Sequence, residues 1–138
     1  INRKSDIPEA AIIVANRHFS ERDFKRVIEI FSGISDEELY NYGVDSINIE
    51  AKLQVGQIEQ ALSAVDSSLR LDKYSTVANL LAARIFEAHK FDKEKAIKFY
   101  NVALEKSKSA DQKQWIIKKI DFLKNNKTNQ IMSYVGGN

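Results

Sequence analysis

Apolar residues recur along most of the chain every three to four positions, the spacing that places them on one face of an α-helix. Proline occurs once and glycine five times, so helix breakers are scarce. The pattern predicts seven helices: residues 8–21, a second that Asp23 caps, 36–55, 57–71, 74–89, a sixth that Asp92 caps, and 110–125. The chain is therefore expected to be helical throughout, with short connections.

Several polar residues mark predicted helix ends. Ser5 stands three residues before the only proline and is expected to cap the first helix. Ser35 and Glu38 have the spacing of a capping box, in which each side chain contacts the other residue. Gly56 is expected to end the third helix. The polar residues after Asn125 are expected to break helical order.

One segment of the sequence is repeated with a period of 34 residues. Its first copy includes Asn16, its second includes Glu50, and its third includes Arg84, after which one residue is inserted between His89 and Lys93. Apolar pairs follow in each copy, namely Val27 with Phe31, Ala61 with Val65, and Ala96 with Tyr100. Periods of this length are typical of arrays of helical pairs, which usually bind other proteins.

The repeated residues resemble the tetratricopeptide repeat family. In that family, the first helix has small residues at its fourth and eighth positions and an aromatic at its eleventh, and the second helix has alanine, an aromatic and alanine at positions 20, 24 and 27. In the first copy, the residues at these positions are Ala11, Ala15, His18, Val27, Phe31 and Ile34. In the second copy they are Asp45, Ile49, Lys52, Ala61, Val65 and Ser68. In the third copy they are Asn79, Ala83, Phe86, Ala96, Tyr100 and Ala103. No proline closes a repeat, and Asp45 and Lys52 depart from the family pattern.

The resemblance implies an all-α fold, a right-handed α-solenoid of about three helix pairs with a C-terminal capping helix. The expected boundaries are a lead at 1–7, a helical domain at 8–126 with repeats at about 8–35, 36–72 and 73–108 and a capping helix at 109–126, and a tail at 127–138. An unrelated helical bundle with the same apolar faces is the structural alternative.

The resemblance also implies a concave groove, lined by the first helix of each pair, that binds a partner segment. The expected groove residues are Ile12, Asn16, Phe19, Ile47, Glu50, Leu53, Leu81 and Arg84. Glu50 and Arg84 forming an ion pair with each other is the alternative explanation for that part of the pattern. Of the residues that grip a peptide carboxylate in the best-known subclass, only Asn16 is present, so an amphipathic or apolar partner segment is predicted.

Charge is distributed unevenly, although the net charge is only +2. Residues 1–89 carry 10 basic and 14 acidic groups, and residues 90–138 carry 11 and 5. A predicted basic face consists of Lys106, Lys108, Lys113, Lys118, Lys119 and Lys124, and a solvated helix face is the ordinary interpretation of such lysines. The alternatives to groove binding are a nucleic acid, an acidic protein or anionic membrane surface, or self-assembly into a larger complex. Because arginine is missing after residue 84, nucleic acid is the weaker of these.

Nothing in the sequence predicts catalysis. There is no cysteine, and the two histidines, His18 and His89, have no second ligand at metal-binding spacing. No phosphate loop or nucleophile motif occurs, so no enzyme activity, metal or cofactor is expected.

The predicted role is a protein-binding scaffold or adaptor domain within a larger protein or complex. No apolar run reaches the length of a membrane span, and the cytoplasm is the expected compartment. Since the chain begins with Ile1 rather than Met, a soluble domain of a membrane-anchored or exported protein is the alternative.

Overall fold

The computed structural model describes the backbone of residues 3–136 and the side chains of residues 9–125. All regular structure in this range is helical, which confirms the all-α prediction. The helices are α1 (Arg3–Ser20), α2 (Phe24–Phe31), α3 (Asp36–Asn41), α4 (Asp45–Gln54), α5 (Ile58–Leu71), α6 (Thr76–Ala88), α7 (Lys93–Lys106) and α8 (Ala110–Gly136). They form two compact units, Ile1–Lys73 and Tyr74–Asn138.

The first unit contains α1 to α5. Helix α1 packs against α2 and α4, α2 also packs against α4, and α3 and α4 both pack against α5. One apolar core of this unit consists of Ala15, Val27, Phe31, Leu39, Val44 and Ala51, each almost wholly shielded from solvent. Removing this apolar surface from water is the main force that holds short helices together.

The single helix predicted at residues 36–55 is wrong, because α3 and α4 are separate. Gly43 has a φ of 73°, a left-handed conformation that glycine adopts readily and that ends α3. The amide of Val44 donates to the carbonyl of Leu39 at 2.9 Å, and the Val44 side chain enters the core. Gly43 was the available sequence signal for this break.

The second unit contains α6, α7 and α8, and α7 packs against both of the others. One apolar core of this unit consists of Ala83, Ala96, Tyr100, Ala103, Ile116, Ile120 and Leu123. Small side chains on α6 and α7 let these helices approach closely, and Tyr100 fills the space towards α8.

The capping predictions are confirmed where the helix begins as expected. Asp23 accepts the Arg26 amide at 3.4 Å, and Asp92 caps α7 in the same way. The Ser35 hydroxyl accepts the Glu38 amide at 3.1 Å, while the Glu38 carboxylate accepts a hydrogen bond from that hydroxyl at 3.3 Å. These contacts satisfy amide groups that a helix start otherwise leaves unpaired.

Two predicted helix ends are wrong. Helix α1 begins at Arg3 rather than near residue 8, so Ser5 lies inside the helix instead of capping it. Helix α8 continues to Gly136, although helical order was expected to end near Asn125. The segment after Asn125 contains no proline, and its first glycine is Gly136, so modest propensities alone do not stop the helix.

The same turn joins the two helices of each of three pairs, α1–α2, α4–α5 and α6–α7. Each turn has one residue with positive φ, at 62°, 84° and 54° for Arg22, Gly56 and Phe91. The next residue donates its amide to a carbonyl at the end of the preceding helix, always at 2.8 Å: Asp23 to His18, Gln57 to Lys52, and Asp92 to Phe86. The third bond spans one more residue than the others, as the predicted insertion requires.

Burial follows the period of the sequence as well. On the first helix of each pair, the equivalent residues Ala15, Ile49 and Ala83 are at most 1% exposed. On the second helix, Val27, Ala61 and Ala96 are fully buried. Four residues later, Phe31, Val65 and Tyr100 are at most 2% exposed. The three helix pairs therefore share both their turn and their buried positions.

Candidate functional site

Six of the eight predicted groove residues lie in the first unit, on α1 and α4, which pack against each other. Ile12, Phe19 and Ile47 are half-buried against the core and retain some exposed apolar surface. Leu53 is buried and belongs to the interior. Asn16 is exposed and presents its side-chain amide at this surface.

Ile13 is the residue that the sequence interpretation missed. It is 71% exposed, although it is a large aliphatic side chain, and it lies on α1 one turn before Asn16. The adjacent Ile12 takes the position next to the core, which leaves Ile13 turned to solvent, since neighbours on a helix point about 100° apart. The signal was the pair of adjacent isoleucines, of which only one can face the core.

The polar edge of this surface is formed on α4. Glu50 is half-buried and accepts a hydrogen bond from the Gln54 amide at 2.8 Å. We call the surface made by Ile12, Ile13, Asn16, Phe19, Ile47 and Glu50 the α1–α4 strip. It combines apolar side chains with two polar groups, as a protein-binding surface requires.

Leu81 and Arg84, the other two predicted groove residues, belong to the second unit. Leu81 is buried and Arg84 is exposed on α6. The expectation that all eight residues line one groove stays a prediction.

Two of the six lysines of the predicted basic face already have intramolecular contacts. The Lys119 ammonium pairs with the Glu87 carboxylate at 2.8 Å, and the Lys106 ammonium lies 4.6 Å from the centre of the Tyr74 ring. Lys108, Lys113, Lys118 and Lys124 are exposed. The positive charge open to a partner is therefore smaller than the sequence suggests.

Glu87 connects all three helices of the second unit. Its carboxylate accepts a hydrogen bond from the buried Tyr100 hydroxyl at 2.7 Å, and it also receives Lys119 of α8. Burial raises the pKa of Tyr100, and the hydrogen bond and negative charge of Glu87 raise it further, against a smaller opposing effect of Arg84. The network holds Tyr100 as a neutral donor and anchors α8.

Helix α8 presents aromatic side chains to solvent. Ile116, Ile120 and Leu123 are buried, whereas Trp115 is 48% exposed and does not belong to the core. Trp115 packs edge-on against Tyr100 with ring centres 6.1 Å apart, at the margin of the interface. Phe122, seven residues later, is 51% exposed. We call the surface made by Trp115, Lys118 and Phe122 the α8 face.

The described side chains show no cluster with obvious reactive chemistry. No three of their His, Asp and Glu residues are grouped to hold a metal ion. His18 is half-buried, with Nδ1 3.4 Å from the Asp23 carboxylate, and His89 is exposed at the end of α6. Among the described residues, no helix has the length and apolar character that crossing a bilayer requires.

Two surfaces thus combine exposed apolar groups with polar ones, the α1–α4 strip in the first unit and the α8 face in the second. The first is mainly apolar with an amide and a carboxylate, and the second is aromatic with a lysine. Comparison with family models, with curated protein sequences and with solved structures gives no match for this chain.

Proposed function

We propose that the chain is a protein-binding scaffold or adaptor domain that takes an apolar or amphipathic partner segment on the α1–α4 strip. The observation that carries the proposal is Ile13, an aliphatic side chain 71% exposed on the helix that also bears half-buried Ile12 and Phe19. We infer that these side chains form one exposed apolar patch, the kind of surface that marks interaction sites in soluble proteins. The domain would act within a larger protein or complex.

The tetratricopeptide resemblance is part of the proposal. It is supported by the left-handed turn that recurs at Arg22, Gly56 and Phe91, and by the equivalent buried positions of the three helix pairs. Stacking of these pairs into a right-handed solenoid, with a groove that extends to Leu81 and Arg84, is the arrangement that the resemblance favours.

Binding at the strip would work by removing apolar surface from water. A partner helix with apolar residues at i, i+3 or i+4, and i+7 would cover Ile13 and the exposed parts of Ile12 and Ile47. The Asn16 amide would fix the register, because a polar group left unpaired on binding costs affinity. Glu50, which already accepts a hydrogen bond from Gln54, would add negative charge at the edge of the site. Side-chain anchors of this type carry most of the energy in helix-binding grooves.

The test is selection of binders from a displayed library of helical peptides against the wild-type domain. Ile13→Asp should lower the affinity of the domain for the selected peptides by about tenfold or more, because it puts a charge on the apolar surface. Leu71→Asp is the matched control, since Leu71 is also exposed, at the end of α5. If the selected peptides bind the Ile13→Asp and Leu71→Asp variants equally well, the strip is not the site.

The α8 face supports a second candidate, the binding of an acidic protein surface. Trp115 and Phe122 lie two turns apart on one side of α8, and Lys118 stands between them. This arrangement fits a partner helix with two apolar anchors and flanking carboxylates. An acidic helical peptide should then bind more weakly as the salt concentration rises, and Trp115→Ala should remove that binding. If Ile13→Asp removes the binding of this peptide and Trp115→Ala does not, the candidate is rejected.

A further inference from the structure

The first unit contains a cavity of about 320 Å³ that the proposed protein binding does not use. It lies among α2, α3, α4 and α5, with apolar walls that include Phe31 and Leu39. Its polar lining includes Asn48 and Lys52 of α4 and Gln57 at the start of α5. A volume of this size, with walls that are partly apolar and partly polar, is typical of sites that bind small molecules.

Asn48 is the first unusual residue of the cavity. Only 3% of its surface is exposed, yet among the described residues its side-chain amide makes no hydrogen bond. Among the described residues, only His18 Nδ1 is a wholly buried side-chain atom without a hydrogen bond, so the Asn48 amide is still reachable through the cavity that it lines. A bound molecule can therefore supply a partner for this amide.

Lys52 is the second unusual residue of the cavity. It is half-buried, and no carboxylate among the described residues lies within ion-pair distance of its ammonium group. In the other two copies of the repeat, the equivalent positions hold the rings of His18 and Phe86. The narrow lysine chain leaves space where those rings would stand, and it brings a positive charge to that space.

One carboxylate, that of Asp36, also lines the cavity. Asp36 is the first residue of α3, where the positive end of the helix dipole stabilises its charge. The cavity therefore offers a lysine cation and amide donors besides one carboxylate that its own helix already favours.

We propose that this cavity binds an apolar molecule that carries a carboxylate group. The Lys52 ammonium and the Asn48 amide donate hydrogen bonds to the carboxylate, and Phe31 and Leu39 surround the apolar part. Charge-assisted hydrogen bonds in a partly buried site give both orientation and selectivity for the anion. The inference concerns a different part of the first unit from the α1–α4 strip and stands without it.

The experiment is an NMR titration of the ¹⁵N-labelled wild-type chain with hexanoate, hexanol and hexylamine. Hexanoate should shift the amide signals of Asn48, Lys52 and Gln57 at millimolar concentrations, hexanol should bind more weakly, and hexylamine should not bind. The ranking needs no variant, since the three probes share one apolar chain. Equal binding of all three, or no shift with hexanoate, overturns the proposal.

Variants locate the charge that selects the anion. Lys52→Met should lower the affinity for hexanoate by about tenfold, a change of about 1.4 kcal/mol in binding free energy, and leave the affinity for hexanol unchanged. Lys25→Met is the matched control, because Lys25 is exposed on α2 and outside the cavity. Circular dichroism checks that both variants are folded, and unchanged hexanoate affinity in a folded Lys52→Met variant contradicts the assignment.

Discussion

The pairs α4–α5 and α6–α7 share a turn and buried positions, but they pair their buried hydroxyl groups differently. In the first unit, Ser68 donates to the Asp45 carboxylate at 2.6 Å. In the second, Tyr100 donates to Glu87 at 2.7 Å, and Lys119 of the following helix balances the charge of Glu87. The first contact joins two helices of a pair, while the second also fastens α8. Similar helix pairs can thus carry either a local polar contact or one that recruits the next helix.

The two units also differ in charge. The first contains 9 basic and 13 acidic residues, and the second contains 12 and 6. The uneven charge seen along the sequence therefore follows the division of the structure. An acidic partner favours the second unit on electrostatic grounds, and an apolar segment has no such preference.

The largest expected effect is at Tyr100. Tyr100→Ala removes a fully buried ring and leaves Glu87 with one partner fewer, so unfolding should become easier by about 3–5 kcal/mol. Urea unfolding followed by the fluorescence of Trp115, the only tryptophan, measures this in the second unit. A loss below about 1 kcal/mol would show that Tyr100 does not support this core.

The Tyr100 pKa predicts a loss of stability at high pH. Because the folded state raises the pKa of this hydroxyl above its ordinary value of about 10, the unfolded chain loses the proton first as pH rises. Wild-type stability should fall relative to Tyr100→Phe above pH 10, by at most about 1.4 kcal/mol per pH unit, and the difference should be constant below that pH. Parallel urea curves for the two proteins from pH 9 to pH 11 check this. Equal slopes for both proteins would contradict it.

The corresponding contact of the first unit should give a smaller effect. Ser68→Ala leaves the Asp45 carboxylate without its donor and should cost about 1–2 kcal/mol. Replacing Asp45 by alanine as well should recover part of that loss, because no acceptor is then left unpaired. The free energies of the two single variants and the double variant, measured by circular dichroism in urea, test the coupling. Strict additivity would mean that the pair does not interact.

The smallest expected effects are at the shared turn. Gly56→Ala should destabilise the first unit by about 1 kcal/mol, since a Cβ there meets no atom within 4 Å and only the backbone conformation opposes it. Phe91→Gly should change stability by less than about 1 kcal/mol in the favourable direction, because Phe91 is 82% exposed and has positive φ. Thermal unfolding of both variants compares the two turns. If Gly56→Ala stabilised the first unit, or Phe91→Gly destabilised the second, the two turns would not be equivalent.

Local rules predicted much of the helical structure. The Asp23, Ser35 and Asp92 caps depend on neighbours within three residues, and the buried periodic positions depend on helical spacing. The break at Gly43 was missed, because an apolar pattern on both sides of a glycine looks continuous in the sequence. The extent of α8 was missed for the converse reason, since weak helix formers such as Asn125 do not end a helix by themselves.

Tertiary contacts decided the features that sequence reasoning did not reach. Asp45, which departs from the tetratricopeptide pattern, accepts a hydrogen bond from Ser68, 23 residues away on the packed helix. Lys52, which also departs from that pattern, lines a cavity whose walls come from four helices. Which of the adjacent Ile12 and Ile13 faces the core, and whether Trp115 is covered, likewise depends on the neighbouring helices. None of these can be read from spacing along one helix.

We propose that the α1–α4 strip binds a partner segment. A chemical-shift map of the ¹⁵N-labelled chain, saturated with a peptide selected from the helical library, tests this directly. The largest shifts should fall on Ile12, Ile13, Asn16 and Ile47, and Ile13→Asp should abolish them. Largest shifts on α8, or on the outer faces of α2 and α5, would contradict it.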